Sequence, residues 1–278
     1  MSTKITSGIT HAGIFHADDI FSTALLRIMN PEIEISRAIV VPEGIDVNST
    51  EGTVVYDIGD GIFDHHHGEL TVRENGIPKA AFGLLWEHYG RELVIDDAAW
   101  QSIDDDIVSY IDRHDNGYEM GNPLSVIFGM FNPFWDEPAS ADVRMEKFIT
   151  AVSIAEELLK RAIDRANSTS KARNTIREYY NASETKANKI LVMERFAPWK
   201  EWTTEDEVHF CVYPSERGGW CIQSYDSSKY PLPEEWVTNL PSGMTFCHKG
   251  RFLAAVTTKE LAVIYALKAT AECGVEVE

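Results

Sequence analysis

Apolar positions along the first 115 residues switch between two periods. KITSGIT from Lys4, EISRAIVV from Glu34 and GTVVYDIG from Gly52 are short runs of strand character. Between the first two, DDIFSTALLRIM places Phe21, Ala24, Leu25 and Ile28 at helical spacing. Pro42 and Gly44 are expected to end the second strand. KAAFGLLWEHYG predicts a helix with Gly90 as its C-cap. DDAAWQSIDDDIVSYIDRHDNG predicts another, closing on Asn116-Gly117. Strands alternating with helices argue for a parallel α/β sheet.

The pattern then changes. NPLSVIFGMFNPFWDEP, from Asn122, reads as an aromatic, proline-rich loop able to form a wall. From Ala141 to about Leu191 the pattern is helical and charged. VHFCVYP, GWCIQSY, MTFCHKG and FLAAVT return to strands, and TTKELAVIYALKATAE closes as a helix with Thr257 and Glu260 at capping-box spacing. Two domains are expected. Residues 1–160 would form a parallel-sheet domain, and 161–278 would hold connecting helices and a smaller α+β domain.

Charge narrows the class. The 278 residues carry a formal net charge of −19, which excludes a general nucleic-acid coat built on basic excess. From Lys160 to Lys200, ten Lys or Arg face four Asp or Glu, a net of +6, leaving −25 elsewhere. That segment is either a landing strip for a phosphate backbone or a solvated helix face. Cys211, Cys221, Cys247 and Cys273 are isolated in spacing, which excludes a C-x-x-C zinc site and reads as free thiols in a reducing compartment. The N-terminal MSTKITSGI has no apolar leader, and no stretch approaches the roughly 18 apolar residues of a membrane span. A cytoplasmic protein without membrane contact is the expectation.

Three clusters carry the chemistry. THAGIFHADD holds His11, His16, Asp18 and Asp19; VVYDIGDGIFDHHHGE holds Asp57, Asp64, His65, His66 and His67; YIDRHDNG holds Asp112, His114 and Asp115. Each follows an apolar segment. Each also has a plain reading: Asp18 or Asp19 as a helix cap, the histidines as a solvated loop, Asp115-Asn116-Gly117 as a turn. Together they offer mixed nitrogen and oxygen ligands for two divalent ions, the set that suits manganese, iron or zinc, whereas carboxylates alone would favour magnesium.

These stretches, with FNPFWDEP, APWKEW, WCIQSYDSSKYPLPEEW and SGMTFCHKGRF, resemble the MYG family of metal-dependent hydrolases or exoribonucleases, distant relatives of the DHH phosphoesterases. The matching pieces run from residue 10 to 252. The resemblance implies a DHH-like N-terminal domain and two divalent ions, Mn2+ before Mg2+, Fe2+ or Zn2+. His11, His16 and Asp57 would hold one ion. Asp18, Asp57 and His65 would hold the second, with Asp57 bridging and either Asp112 or Asp115 completing it. His66 would face the substrate phosphate, Asp64 would orient His65 or the loop, and His67 would be replaceable. The C-terminal stretch GRFLAAVTTKE lacks the family's glycine pair, and KAAFG lacks the family's serine near Ala81, departures that touch substrate binding more than metal binding; Lys249 and Arg251 remain as candidate phosphate contacts or exposed strand-end cations. The activity implied is phosphoester hydrolysis of RNA or short oligonucleotides by a metal-activated water. A small-molecule nucleotide phosphohydrolase, and a metal-binding homologue without turnover, are the alternatives.

Overall fold

The computed structural model describes residues 5–66, 71–118 and 121–274. His67 therefore lies outside the described residues. The chain divides into two compact units, Met1–Ser170 and Lys171–Glu278, and one helix crosses the division.

The first unit is built on a three-stranded parallel sheet of order β2-β1-β3, with β1 at Ile5–His11, β2 at Glu34–Ala38 and β3 at Gly52–Val55. The chain passes to one side of β1 and then to the other. The strand ends between β1 and β3 are therefore a switch point, where open α/β sheets bind ligands. The second strand stops at Ala38, three residues earlier than its sequence pattern suggests. Ile39 and Val40 leave the sheet instead and are 89% and 75% exposed.

Helix α1, Ala17–Met29, is buried from Ala17 through Leu26, its polar Asp18, Asp19, Ser22 and Thr23 included. Helix α2 is Ala81–Tyr89. Gly90 follows it with right-handed φ −58°, ψ −30°, so it is not a left-handed cap. It is glycine for space: a Cβ there would come within 2.6 Å of the Trp86 ring. Helix α3, Asp97–Ile103, passes through a π-helical turn at Asp104–Val108 into α4, Ser109–Asp115. This rod ends at Asn116, and Gly117 takes φ +73°.

The expected loop from Asn122 begins instead as helix α5, Pro123–Gly129. Asn122 accepts hydrogen bonds from the Leu124 and Ser125 amides, and Pro123 occupies the first turn, where its missing N–H costs nothing. Helix α6 runs Ala141–Ala182, nine residues short of the charged pattern's end. Phe15, Phe21, Tyr56, Phe82, Trp86, Phe128 and Phe148 fill the first unit's core.

The second unit holds a five-stranded sheet of order β4-β5-β6-β8-β7: β4 Ile190–Val192, β5 Phe210–Pro214, β6 Trp220–Ser224, β7 Met244–Cys247 and β8 Leu253–Val256. Only β4 and β5 pair in parallel. Helix α7, Glu235–Thr238, precedes β7, and α8, Lys259–Glu272, closes the described chain. Thr258, not Thr257, caps α8, accepting from the Leu261 amide. All four cysteines are free thiols. Among the described residues no helix is long and apolar enough to cross a membrane.

Candidate metal centre

Parallel pairing brings the carboxyl ends of β1 and β3 to one rim, and the three sequence clusters meet there. His11 ends β1, and Asp57 follows β3 by two residues. Asp57 has φ +59°, a conformation that a non-glycine residue holds only when its surroundings enforce it. Its amide donates to the Phe63 carbonyl at 3.0 Å, closing the loop that returns His65 and His66 to the rim.

His11 Nε2 lies 3.2 Å from Asp19 Oδ2 and 3.2 Å from Asp57 Oδ2. The other face of Asp57, Oδ1, stands 3.5 Å from His65 Nδ1 and 3.5 Å from His66 Nδ1. His65 Nε2 is 2.8 Å from Asp115 Oδ2, and His16 Nδ1 is 4.0 Å from Asp115 Oδ1. Among the described residues three groups have ligand atoms within 4.8 Å of one another: His11, Asp19 and Asp57; Asp57, Asp64, His65 and His66; His16, Asp18 and Asp115. Asp57 belongs to two of them.

Burial makes this expensive. Asp18, Asp19 and Asp57 are almost wholly enclosed. Burial, then the neighbouring Asp57, Asp115 and Asp19 charges, push the Asp18 carboxyl well above its ordinary range. Burial raises Asp19 as well, with His11 working against it. Burial opposes a charge on His11, but the Asp19 and Asp57 contacts outweigh it and hold the imidazole up at about 10. His65 is raised too: burial opposes its charge, and Asp115 and Asp57 more than offset that. In return His65 draws Asp115 down despite its burial.

Even so, both Asp18 oxygens, Asp19 Oδ2, Asp57 Oδ1 and His65 Nδ1 are buried with no hydrogen-bond partner among the described residues. An unsatisfied buried carboxylate oxygen costs on the order of 1–3 kcal/mol or more. Four such oxygens and one imidazole nitrogen converging on one rim are a donor set that fits divalent cations, and the imidazole and carboxylate mixture suits a transition metal.

The structure separates several residues that the sequence left together. Asp112 is outside the cluster. Its Oδ2 accepts from Arg73 Nε at 3.1 Å and Nη2 at 2.6 Å, and its Oδ1 accepts from the Ala80 and Gly83 amides. Arg73 also pairs with Asp104. Burial raises Asp112 to about 6, with Arg73 pulling the other way. A Cβ on Gly83 would fall 2.2 Å from Asp112 Oδ2, so only glycine fits there. His16 groups with Asp18 and Asp115, not with His11 and Asp57. Asp64 orients the loop and His66, not His65: its Oδ2 accepts from the Asp60 amide and its Oδ1 from the His66 amide, 2.8 Å from His66 Nδ1.

Asp19 is the residue that sequence reasoning passed over as a cap. It does both tasks, since Oδ1 accepts from the His16 amide at 2.9 Å while Oδ2 turns to His11. Arg37, unmarked in the sequence, brings Nη2 to 3.7 Å from Asp19 and lies over the Phe15 and Phe148 rings. In the second unit, Lys249 is exposed in the turn between β7 and β8. Arg251, φ +58°, donates through Nε to the Leu232 carbonyl at 2.6 Å and faces Glu234.

A cavity of about 770 Å³ opens over the rim of the first unit. Its polar side is His11, His16, Asp57, Asp60, Asp64 and His66, and its apolar side includes Ile14, Ile39 and Val40.

Residues 8–270 match the model of an uncharacterised protein family (UPF0160), a model named for the MYG1 exonuclease. The chain is 25% identical to a MYG1 protein of Dictyostelium discoideum, over 93% of this chain and 94% of the relative. It is 24% identical to the mouse MYG1 exonuclease over 90% and 81%, and 23% identical to the human MYG1 exonuclease over 90% and 82%. No solved structure matches it significantly.

Proposed function

The chain belongs to the uncharacterised protein family UPF0160, the family of the MYG1 exonucleases, and from that membership we propose that it is a metal-dependent phosphodiester hydrolase, an exonuclease acting on RNA or short oligonucleotides. The observation that carries the reading is the convergence of buried, unpartnered ligand atoms of Asp18, Asp19, Asp57 and His65 at the β1/β3 rim. The names of the relatives supply the direction, nucleic-acid hydrolysis; the donor set supplies the chemistry.

In this reading His11, Asp19 and Asp57 hold one divalent ion. Asp57, His65, Asp18 and Asp115 would hold a second, with Asp57 common to both sets and His16 grouped with Asp18 and Asp115. Manganese is the metal that the family resemblance puts first, and the mixed imidazole and carboxylate set accepts it, as it would iron or zinc. Bound there, the pair would supply a water of lowered pKa and offset charge on phosphoryl oxygens. The protein's own residues do the rest. Asp64 fixes the loop and the ring of His66, and His66, half exposed on the cavity side, meets the substrate phosphate. In the second unit Lys249 is an exposed cation, and Arg251 chiefly orders its own turn. The first unit would then be a DHH-like catalytic domain and the second the substrate domain. Four free thiols and the lack of a membrane-spanning helix among the described residues support a cytoplasmic setting.

A nucleotide phosphohydrolase is the second reading, favoured by the net −25 outside residues 160–200. A manganese-dependent hydrolysis panel of pyrophosphate, mononucleotides, dinucleotides and end-labelled RNA separates them. Mononucleotides released from RNA and dinucleotides support the exonuclease. Turnover of mononucleotides alone supports the second reading. Full metal content with no hydrolysis overturns both.

A further inference from the structure

We infer that the apolar side of the cavity, formed by Ile14, Ile39 and Val40, receives the nucleobase of the nucleotide whose phosphate faces the carboxylate and imidazole floor. This rests on the phosphodiesterase reading and adds the part of the substrate that reading leaves unplaced.

Three large β-branched side chains stand 61%, 89% and 75% exposed on one wall of one cavity. Single exposed apolar residues are ordinary, but three lining one concave wall mark a place where a ligand covers them. The same cavity is lined by His11, His16, Asp57, Asp64 and His66, which end or follow β1 and β3, whereas Ile39 and Val40 follow β2 at the other edge of the sheet. A ligand that fits both sides has an anionic end and a flat, weakly polar body a few ångströms away, which describes a nucleotide. The volume of about 770 Å³ is ample for one.

The wall is held in place from below. The Ala12 amide donates to the Ala38 carbonyl at 2.7 Å, the last tie before the chain leaves the sheet at Ile39. Arg37, next in line, is fixed over Phe15 and Phe148. Ile39 and Val40 are thus delivered to the cavity by anchored backbone. Their side chains, and that of Ile14, carry no donor or acceptor. Such a wall gains affinity from any base and reads the edge of none, so the contact is indifferent to sequence.

The test is calorimetric titration of the manganese-loaded protein with adenosine 5′-monophosphate and with ribose 5-phosphate, which has the anomeric hydroxyl in place of the base. The monophosphate is expected to bind about tenfold more tightly. The double variant Ile39→Ser, Val40→Ser should bring the two ligands within about twofold, with ribose 5-phosphate affinity and metal content unchanged. Equal affinities in the unaltered protein would overturn the subsite and leave the phosphodiesterase reading standing. A variant that weakens both ligands alike would show that the wall packs the protein. One that changes the sedimentation coefficient but keeps the preference for the base would show that it meets a second copy. Either result overturns the inference. Failure of both ligands to bind fully metal-loaded protein removes the phosphodiesterase reading and the subsite with it.

Discussion

His65 Nε2 stands 2.8 Å from Asp115 Oδ2, tying the loop after β3 to the end of α4. The opposite ring nitrogen, Nδ1, is buried, unpartnered and 3.5 Å from Asp57 Oδ1. One ring thus spans two carboxylates, one paired and one not. In the proposed metal site the two nitrogens would do different work: Nε2 would settle the ring, and Nδ1 would be left for a ligand bond.

Asp57 lies at the centre of that arrangement, so Asp57→Asn should reduce bound metal from about two equivalents to less than one. Activity should fall by more than ~100-fold, beyond the 10–100-fold typical of residues that only support ligands. The fold should survive, because asparagine tolerates the left-handed conformation that Asp57 adopts at φ +59°. Elemental analysis of the folded variant is the check. Two full equivalents would remove Asp57 from between the ions.

His65 and His66 are adjacent but differ in what surrounds them. The His65 side chain is 7% exposed and His66 is 50% exposed beside Asp64. His65→Ala should therefore lower metal content, whereas His66→Ala should keep it and lose about 10²–10³ in turnover, the scale for removing one positioned donor. Equal metal loss in the two variants would mean that the rings share one role.

Much of this rim was legible in the sequence because short apolar runs end just before each cluster. His11 and Asp57 are at strand ends, where the periodicity places them. What one dimension hides is depth. Asp112 and Asp115 are three residues apart on one helix, yet one meets Arg73 from the distant Thr71–Lys79 stretch and the other meets His65. Only tertiary packing makes that choice. Asp18 and Asp19 differ by one helical step, and the helix phase turns Asp19 to both His16 and His11. Helix α5 was masked by its aromatics, although Asn122-Pro123 is a sound start signal. Ile39 and Val40 have strand composition, but β1 offers them no further partners after Ala38.

The separation of Asp112 from the metal cluster has its own test. Asp112→Ala leaves the Arg73 guanidinium buried against Asp104 alone and strips the Ala80 and Gly83 amides of their acceptor. Removing one partner of a buried pair costs about 3–5 kcal/mol. Denaturant unfolding should register that loss while metal per folded molecule stays near the unaltered value. Asp115→Asn should do the reverse, with metal lost and stability changed by about 1 kcal/mol or less. Metal loss from a fully stable Asp112→Ala would return Asp112 to the ligand set.

The second unit carries a pH dependence of its own. His209 is buried, stacks on Tyr230 with ring centroids 3.8 Å apart, and has an unpartnered Nδ1. Burial, and then Lys189, hold its pKa below the ordinary 6.5. A depressed histidine is neutral in the folded state, while the unfolded chain takes up a proton below about 6.5. Its contribution is therefore complete above pH 6.5 and is lost as the pH falls below that value. His209→Phe keeps the ring stack and cannot titrate. The stability difference between the unaltered protein and this variant should shift against the unaltered protein between pH 7.5 and 5.5. A difference that stays constant over that range would mean that His209 titrates normally.

Substrate length follows from where the cations are already spent. The segment from Lys160 to Lys200 has a net charge of +6, but Lys160 pairs with Glu156, Arg161 faces Asp164, and Arg177 is 2.7 Å from Glu207. Of the other seven, Arg173, Lys186 and Lys200 lie over the Trp202, Tyr180 and Tyr225 rings and Lys189 donates to the Asp206 carbonyl, which leaves Arg165, Lys171 and Arg195 as the uncommitted cations of the segment among the described residues. Beyond the segment, a net −25 repels a strand that extends past the site. Each phosphate neutralised on a single strand adds about −0.7 to the slope of log affinity against log salt. With two or three such contacts the slope should be no steeper than about −2. Catalytic efficiency should therefore change little, within about threefold, between a dinucleotide and a long RNA. Measuring kcat/KM on RNAs of increasing length at two salt concentrations decides it. A steep rise with length that salt abolishes would show the α6 cations gripping a long strand, and a processive enzyme would replace the short-substrate one.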